Sequence, residues 1–231
     1  MRFEHTEVWG FNHAIRGARN PMNSWDKSDS EIYAWTTVDY LGYKNQLTAV
    51  EINPNDMNLL QRLIKAGPEH RKFMRQIMVS VDITAPLYWW KEFDTYKVGT
   101  TANSTSTMHK LATTPITLDC FETDDYKEIT FGIGEIQSPN MIIDYCEKLR
   151  QKYLETKDKK YWKELIRWLP ESWLQTRTVT MNYENLLGMC SKGQRRFHKL
   201  TEWSDSFIKW ARLLPYAQEL IFIDELEDKT E

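Results

Sequence analysis

Cysteine is scarce: only Cys120, Cys146 and Cys190 occur in 231 residues. Their odd number and wide spacing exclude a disulfide framework and the paired-cysteine motifs that hold zinc. A surplus of charge is missing too, since 30 Lys and Arg face 33 Asp and Glu, giving a net charge of −3 and a pI near 6.0. No global basic field therefore favours nucleic acid or anionic membrane. Runs such as Ala85-Pro86-Leu87-Tyr88-Trp89-Trp90 and Leu220-Ile221-Phe222-Ile223 fall far short of the ~20 apolar residues that span a bilayer. Met1-Arg2-Phe3-Glu4-His5 lacks the charged-then-apolar build of a secretory signal, so the cytoplasm is the expected compartment. There is no internal repeat and no low-complexity linker. No Cys/His or Ser/His/Asp arrangement marks a protein nucleophile, and no cysteine has a basic neighbour that would clearly make a thiolate.

Aromatic side chains, by contrast, are abundant. They make up 13% of the chain, with ten Trp, against an ordinary 41% hydrophobic and 27% charged content. Such an excess points to an aromatic core or interface, and Trp89-Trp90 is assigned there. The length suits a single domain over 1–231. Residues 1–50 mix aromatics with turn formers (Asn20-Pro21, Asn23-Ser24, Asp26, Ser28-Asp29) and read as irregular, with one short strand around 32–40, while 51–225 form the core. Asn55 and Asp56 cap a helix running to Ala66, where Gly67-Pro68 ends it. The β-branched run 77–83 is the best strand. From Pro86 a helix runs to about Lys97, followed by a loop over 99–107 and a strand edge at 131–135. Ser138-Pro139 opens a helix with Ile142, Tyr145, Cys146, Leu149 and Tyr153 on one stripe. Further helices fall at 160–169, 181–190 and 202–220, the last broken at Pro215. The expected class is α/β (α+β), a small sheet packed with several helices.

One stretch carries more specific information. After the Ala85-Pro86-led helix comes Thr95-Tyr96-Lys97-Val98-Gly99-Thr100-Thr101-Ala102-Asn103-Ser104-Thr105-Ser106-Thr107. It resembles the segment of flavin-dependent thymidylate synthases in which an Ala-Pro-led helix delivers R-H-R-x-x-S-x-N-x-x-S-x-R. Aligned without gaps, the seven specified positions fall on Thr95, Tyr96, Lys97, Thr100, Ala102, Thr105 and Thr107. None is identical; Lys97, Thr100 and Thr105 are conservative, and Asn103 stands one place late. The surroundings match better. His70, in Gly67-Pro68-Glu69-His70, lies sixteen residues before Pro86, where the family carries a flavin-contacting histidine. Downstream, Arg167, Asn182, Arg195-Arg196, His198 and Glu202 follow the family's order of arginine, asparagine, arginine and a His-Glu pair. The resemblance covers roughly 63–203.

The resemblance implies a homotetramer that binds FAD between subunits, with NADPH reducing the flavin and methylenetetrahydrofolate supplying a carbon for C5 of dUMP. It assigns His70, Tyr96, Lys97, Thr100, Asn103 and Asn182 to the flavin. To the nucleotide it assigns Glu92, Thr105, Ser106, Thr107, Arg167 and Arg195. No catalytic side chain and no metal are assigned, because the flavin carries the hard chemistry. The six hydroxyls and one amide of 99–107 offer neutral donors suited to a diphosphate or ribose, or else form a plain polar loop. Arg195-Arg196 beside Lys192 and Lys199 form a basic cluster, either an anion site or a solvated helix end. Thr95 and Thr107 stand where the family has arginine. Since each charge-assisted phosphate contact contributes about 1.5–3 kcal/mol, dUMP would lose several kcal/mol unless Lys97, Arg167 or Arg195 compensates. Two main functions stay open. One is flavin-dependent transfer of a one-carbon unit to C5 of a pyrimidine deoxynucleotide, with the substrate altered. The other is a catalytically inactive relative that binds a nucleotide or a nucleotide-derived signal. A structural assembly protein is a third.

Overall fold

A computed structural model describes residues 1–38, 44–123, 129–130, 136–137 and 139–227, with side chains described for these except 35–38, 44–48, 129–130, 136–137, 139, 196–197 and 227. The chain begins with β1 (Arg2–Trp9) and α1 (Phe11–Arg19). After 3-10 turns at Asn20–Met22 and Trp25–Lys27 comes an antiparallel hairpin of β2 (Glu31–Val38) and β3 (Lys44–Glu51). Among the described residues of the first fifty, a strand, a helix and a hairpin thus stand where the turn formers suggest irregular chain. Strand β1 is mostly exposed and so shows no apolar alternation, while α1 buries the apolar Phe11, Ala14 and Ile15 and, at its end, the charged Arg19. Helix α2 (Pro54–Lys65) follows, then β4 (Met78–Pro86), α3 (Leu87–Phe93), a 3-10 turn at Asp94–Tyr96, β5 (Thr101–Ser104) and α4 (Thr107–Lys110). The short pair β6 (Ile129–Thr130) and β7 (Ile136–Gln137) flanks 131–135, and the strand expected there lies outside the described residues. The remainder is α5 (Pro139–Thr156), α6 (Lys159–Trp168), β8 (Leu174–Asn182), α7 (Tyr183–Cys190), α8 (Lys192–Phe197), a π-helical turn at Glu202–Phe207, α9 (Ile208–Arg212), α10 (Ala217–Leu220) and α11 (Asp224–Glu227). The break between α9 and α10 falls at Pro215, as expected.

The main sheet has the order β1-β4-β8-β5. In β4 the buried Val79, Val81 and Ile83 alternate with half-buried residues, which is why this strand is readable. Strand β8 replaces the start of a helix expected at 181, because among its Thr, Gln and Arg residues only Val179 and Met181 bury apolar side chains. Strand β5 lies within the expected loop; all four of its residues are exposed, so only backbone pairing defines it. Where the sequence suggests one domain, the contacts group the residues into two compact units. One comprises Met1–His5, Val81–Lys97 and Thr101–Val179; the other comprises Thr6–Ser80, Val98–Thr100 and Thr180–Glu231. Among the described residues, no helix is long and apolar enough to cross a membrane.

In the first unit Trp89 and Trp90 are fully buried, with ring centroids 4.9 Å apart, and Phe93 stacks on Trp89 at 5.2 Å. The indole of Trp90 donates to the Gln175 carbonyl at 2.9 Å, and the Arg177 guanidinium covers its ring at 4.2 Å. A second cluster joins Leu111, Ile116 and Phe121 to Ile143, Cys146 and Leu149 of α5 and Leu165 of α6. Cys146 and Leu149 of the expected α5 stripe are buried, whereas Ile143 takes the place of Ile142, and Ile142 and Tyr145 are exposed. Arg150 shares that stripe, and its hydrogen bonds hold the Glu147 carboxyl down at about 2.

The second unit is organised around a buried carboxylate. Asp56 is fully buried and accepts from Arg19 Nε at 2.6 Å, Ser28 Oγ at 2.7 Å, Ser30 Oγ at 2.6 Å and the Ser30 amide at 3.0 Å. It does not cap α2. The first amides of that helix, those of Asn55 and Asp56, donate to Asp29 at 2.8 and 2.9 Å, a cap supplied from 26 and 27 residues away. Gly10 (φ 99) begins α1 where a Cβ would lie 2.0 Å from the Gln76 carbonyl oxygen, so no other residue fits.

Burial alone would raise the Asp56 carboxyl, but the hydrogen bonds from Ser28, Ser30 and Arg19 outweigh it and hold it below the usual carboxylate range. A depressed folded value stabilises above the unfolded value and stops doing so as pH falls through the folded one. Asp56→Asn should therefore cost about 3–5 kcal/mol near pH 7 by stranding Arg19. The gap from wild type should narrow as pH falls below about 4. Urea unfolding at the two pH values checks this, and an equal gap at both would contradict it.

Candidate functional site

Helix α3 runs out at Phe93, and Thr95 Oγ1 donates back to the Glu92 carbonyl at 2.8 Å. Beyond it the chain turns through Val98-Gly99-Thr100. In the second unit this turn is seated on the start of α7. Asn182 and Asn185 form a reciprocal capping box: Asn182 Oδ1 accepts from the Asn185 amide at 3.0 Å, and Asn185 Oδ1 accepts from the Asn182 amide at 3.1 Å. Asn185 Nδ2 then donates to the Val98 carbonyl at 2.7 Å. Gly99 adopts φ 80, and a Cβ there would lie 3.4 Å from Asn182 Nδ2. The Thr100 turn and Asn182, both assigned to the flavin by resemblance, are brought together.

Beside the far half of α7 lies a cavity of about 510 Å³, lined by Ile64, Lys65, Arg71, Leu187, Gly188, Ser191, Ile223 and Asp224. A Cβ on Gly188 would meet nothing within 4 Å, so the wall there is open. Arg71 donates to Glu184 Oε1 at 3.2 Å, and Arg75 takes the other oxygen. Burial raises the Glu184 carboxyl, but these two guanidinium groups prevail and lower it. His70 immediately precedes Arg71, is exposed, and closes a turn with its amide on the Gly67 carbonyl at 3.0 Å.

Arg195 does not present a bare charge. It pairs with Glu225 at 2.9 Å and Asp224 at 3.5 Å, and its Nη1 donates to the Cys190 carbonyl. The Lys192 amide also donates to Asp224, at 2.6 Å. The basic cluster read from the sequence is thus countered at Arg195 by two acidic residues some thirty positions on. The His198 ring stacks on buried Trp203 at 4.0 Å.

In the first unit Glu92 and Tyr96 are half-buried and Lys97 is exposed. Asn103 lies exposed on β5. Thr105 is fixed by its backbone, its amide donating to the Thr176 carbonyl at 2.9 Å and its carbonyl accepting from Gln175 Nε2 at 2.9 Å. Ser106 caps α4 by accepting the His109 amide at 3.1 Å, and Thr107 is the first residue of that helix. Arg167 is exposed on α6 and donates to Glu164 at 3.2 Å. The segment read as a loop is a strand followed by a helix cap, with the Ser106 hydroxyl engaged in the cap. Sequence reasoning missed Arg177, which bonds Asp94 at 2.9 Å and covers Trp90, because its strand was not expected. It also missed Asn185, although the Asn182-x-x-Asn185 spacing before an apolar run is a capping signal. Cys146 and Cys190 are buried, and burial pushes both thiols up, away from nucleophilic use.

No family model and no curated protein matches the sequence. Solved structures do match. The flavin-dependent thymidylate synthase ThyX from Helicobacter pylori, complexed with FAD and dUMP, superimposes with a TM-score of 0.65 at 16% identity, covering 97% of this chain and 99% of that one. A second structure of that enzyme with FAD and dUMP gives 0.64 at 16% identity, over 94% of this chain and 95% of that one. The UMP/dUMP methylase PolB from Streptomyces cacaoi, bound with 5-Br dUMP, gives 0.56 at 13% identity, over 96% and 95%. Identities this low speak to architecture, and across nearly its whole length the chain has the fold of the flavin-dependent thymidylate synthases.

Proposed function

We propose that the chain binds FAD and a pyrimidine nucleotide and transfers a one-carbon unit to C5 of the base, on a substrate altered from plain dUMP. The observation that carries this reading is the seating of the Val98–Gly99–Thr100 turn on the Asn182–Asn185 box, in a fold shared end to end with a ThyX that holds FAD and dUMP. The donor set suits the flavin. Lys65 and Arg71 supply positive charge for phosphate at a cavity of 510 Å³, within the usual range of small-molecule sites, and the absent Cβ of Gly188 leaves that wall clear. When bound, the flavin supplies the redox chemistry, with NADPH as reductant and methylenetetrahydrofolate as carbon donor. The chain's own part is to bind and orient. Asn185 fixes the turn, Thr100, Asn103 and Thr105 offer neutral donors, and the exposed Lys97 and Arg167 serve the nucleotide phosphate in place of arginines at Thr95 and Thr107, Arg167 by exchanging its partner Glu164. Arg195 is held by Asp224 and Glu225 and contributes less. The site is completed between chains of a homotetramer. A second reading, a nucleotide binder without turnover, is favoured by those two threonines and by the engagement of Ser106 in a helix cap.

FAD titrated into the chain should quench flavin fluorescence at micromolar concentration. Gly188→Leu should weaken that binding at least about tenfold by filling the cavity. Gly188→Ala should leave it intact and raise stability by about 0.5–1 kcal/mol, as expected for removing a mid-helix glycine. Equal FAD affinity in wild type and Gly188→Leu would remove this cavity from the site. For the nucleotide, Lys97→Ala and Arg167→Ala should each weaken dUMP binding by about tenfold, and less at high salt. Calorimetry at two salt concentrations measures both. Unchanged affinity in both variants, with loss on Thr100→Val, would mean that neutral donors alone carry recognition.

A further inference from the structure

A second cavity, of about 310 Å³, lies wholly in the first unit and is lined by Met108, His109, Ala112, Tyr153, Lys159 and Trp162. Local structure fixes its walls. The Ser106 cap starts α4 and so places Met108 and His109. Helix α5 ends at the turn through Lys157 (φ 55), whose amide donates to the Tyr153 carbonyl at 2.8 Å. Asp158 Oδ1 then accepts the Lys160 amide at 2.9 Å and caps α6, so Lys159 and Trp162 fall on one face at i, i+3.

The polar groups around this cavity are unengaged. Among the described residues Lys159 forms no ion pair, and the His109 ring, the Tyr153 hydroxyl and the Trp162 indole N–H form no hydrogen bond. Of the other cations of these two helices, Lys148 and Lys163 likewise form no ion pair among the described residues, while four are paired, Arg150 with Glu147 at 2.6 Å among them. Lys152 pairs with Glu155 at 2.7 Å, Lys160 with Asp158 at 3.1 Å and Arg167 with Glu164 at 3.2 Å. No carboxylate lines the cavity. Two aromatic rings, one ammonium, an imidazole and two further donors thus belong to the residues that line the cavity, and none of these polar groups has a partner among the described residues. Aromatic walls with a few convergent polar groups are the chemistry of a small-molecule site, and the volume lies at the low end of that range.

We infer that this cavity is a second small-molecule site, for a planar aromatic ring bearing a carboxylate or phosphate. The ring lies against Trp162 and Tyr153, and the anion meets Lys159 and His109. The inference stands apart from the flavin reading, because none of these residues belongs to the proposed flavin or nucleotide site. The same chemistry is offered by two sources, the aminobenzoyl-glutamate half of a folate and a pyrimidine nucleotide.

The test is calorimetric titration of the full chain with p-aminobenzoyl-glutamate and, separately, with UMP. At least one probe should bind, and Lys159→Met should weaken it about tenfold, as should Trp162→Ala. Lys160→Met, one residue along but already paired with Asp158, should bind like wild type. Because UMP also fits the nucleotide site proposed above, sensitivity to Lys159→Met decides: loss of the first probe alone assigns the cavity to a folate tail, and loss of UMP alone to a nucleotide. Lys159 is exposed, so its variant keeps the fold, as circular dichroism will verify, and the result does not rest on the Trp162 variant. No binding of either probe at millimolar concentration, or equal affinity in wild type and Lys159→Met, would overturn the inference.

Discussion

The capping box of Asn182 and Asn185 is the contact on which the candidate site depends. It ends β8 and starts α7 at one residue, because Asn182 keeps an extended backbone while its side chain satisfies a helix amide that would otherwise lack a partner. The Tyr183 amide, next in line, donates to the Ile77 carbonyl at 3.0 Å and anchors the helix start beside β4. Of the two side-chain amide nitrogens that the box leaves over, Asn185 Nδ2 fixes the Val98 carbonyl. A short polar turn is thereby given a defined place without any charge.

The second unit shows the same economy in its buried polar groups. Asp56 is surrounded by hydroxyl, amide and guanidinium donors, and Asp29 caps α2 from the segment before the β2–β3 hairpin. Together they tie α1, the 3-10 turns and α2 into one body. The segment from α1 to Ser30 thus owes much of its order to polar contacts.

That explains which parts were readable in the sequence. Strand β4 announces itself through alternating β-branched residues, and α2 through its apolar spacing and the glycine that ends it. Strands β1, β5 and β8 carry little or no apolar alternation, so only pairing with neighbours reveals them. In the α5 stripe Cys146 and Leu149 are buried as expected, but Ile142 and Ile143 are equally apolar and only the second is buried. At the site, the resemblance placed Thr100 and Asn182 in one functional group, and the fold brings them together. It also grouped Arg195 with Lys97 and Arg167 as a phosphate contact, whereas Asp224 and Glu225 pair with it. Those partners stand about thirty residues away, and no local pattern exposes a long-range ion pair.

The central claim is that this fold still performs chemistry at C5 of a pyrimidine despite threonine at two arginine positions. Its direct measure is tritium release from a nucleotide labelled at C5, in the presence of the chain and reduced flavin. The account expects release above the protein-free background, from dUMP or from a related uracil or cytosine nucleotide, and its loss when Asn182 is replaced by Leu. A chain that binds flavin and nucleotide yet releases no tritium from any of them would contradict the transferase reading and leave a nucleotide binder.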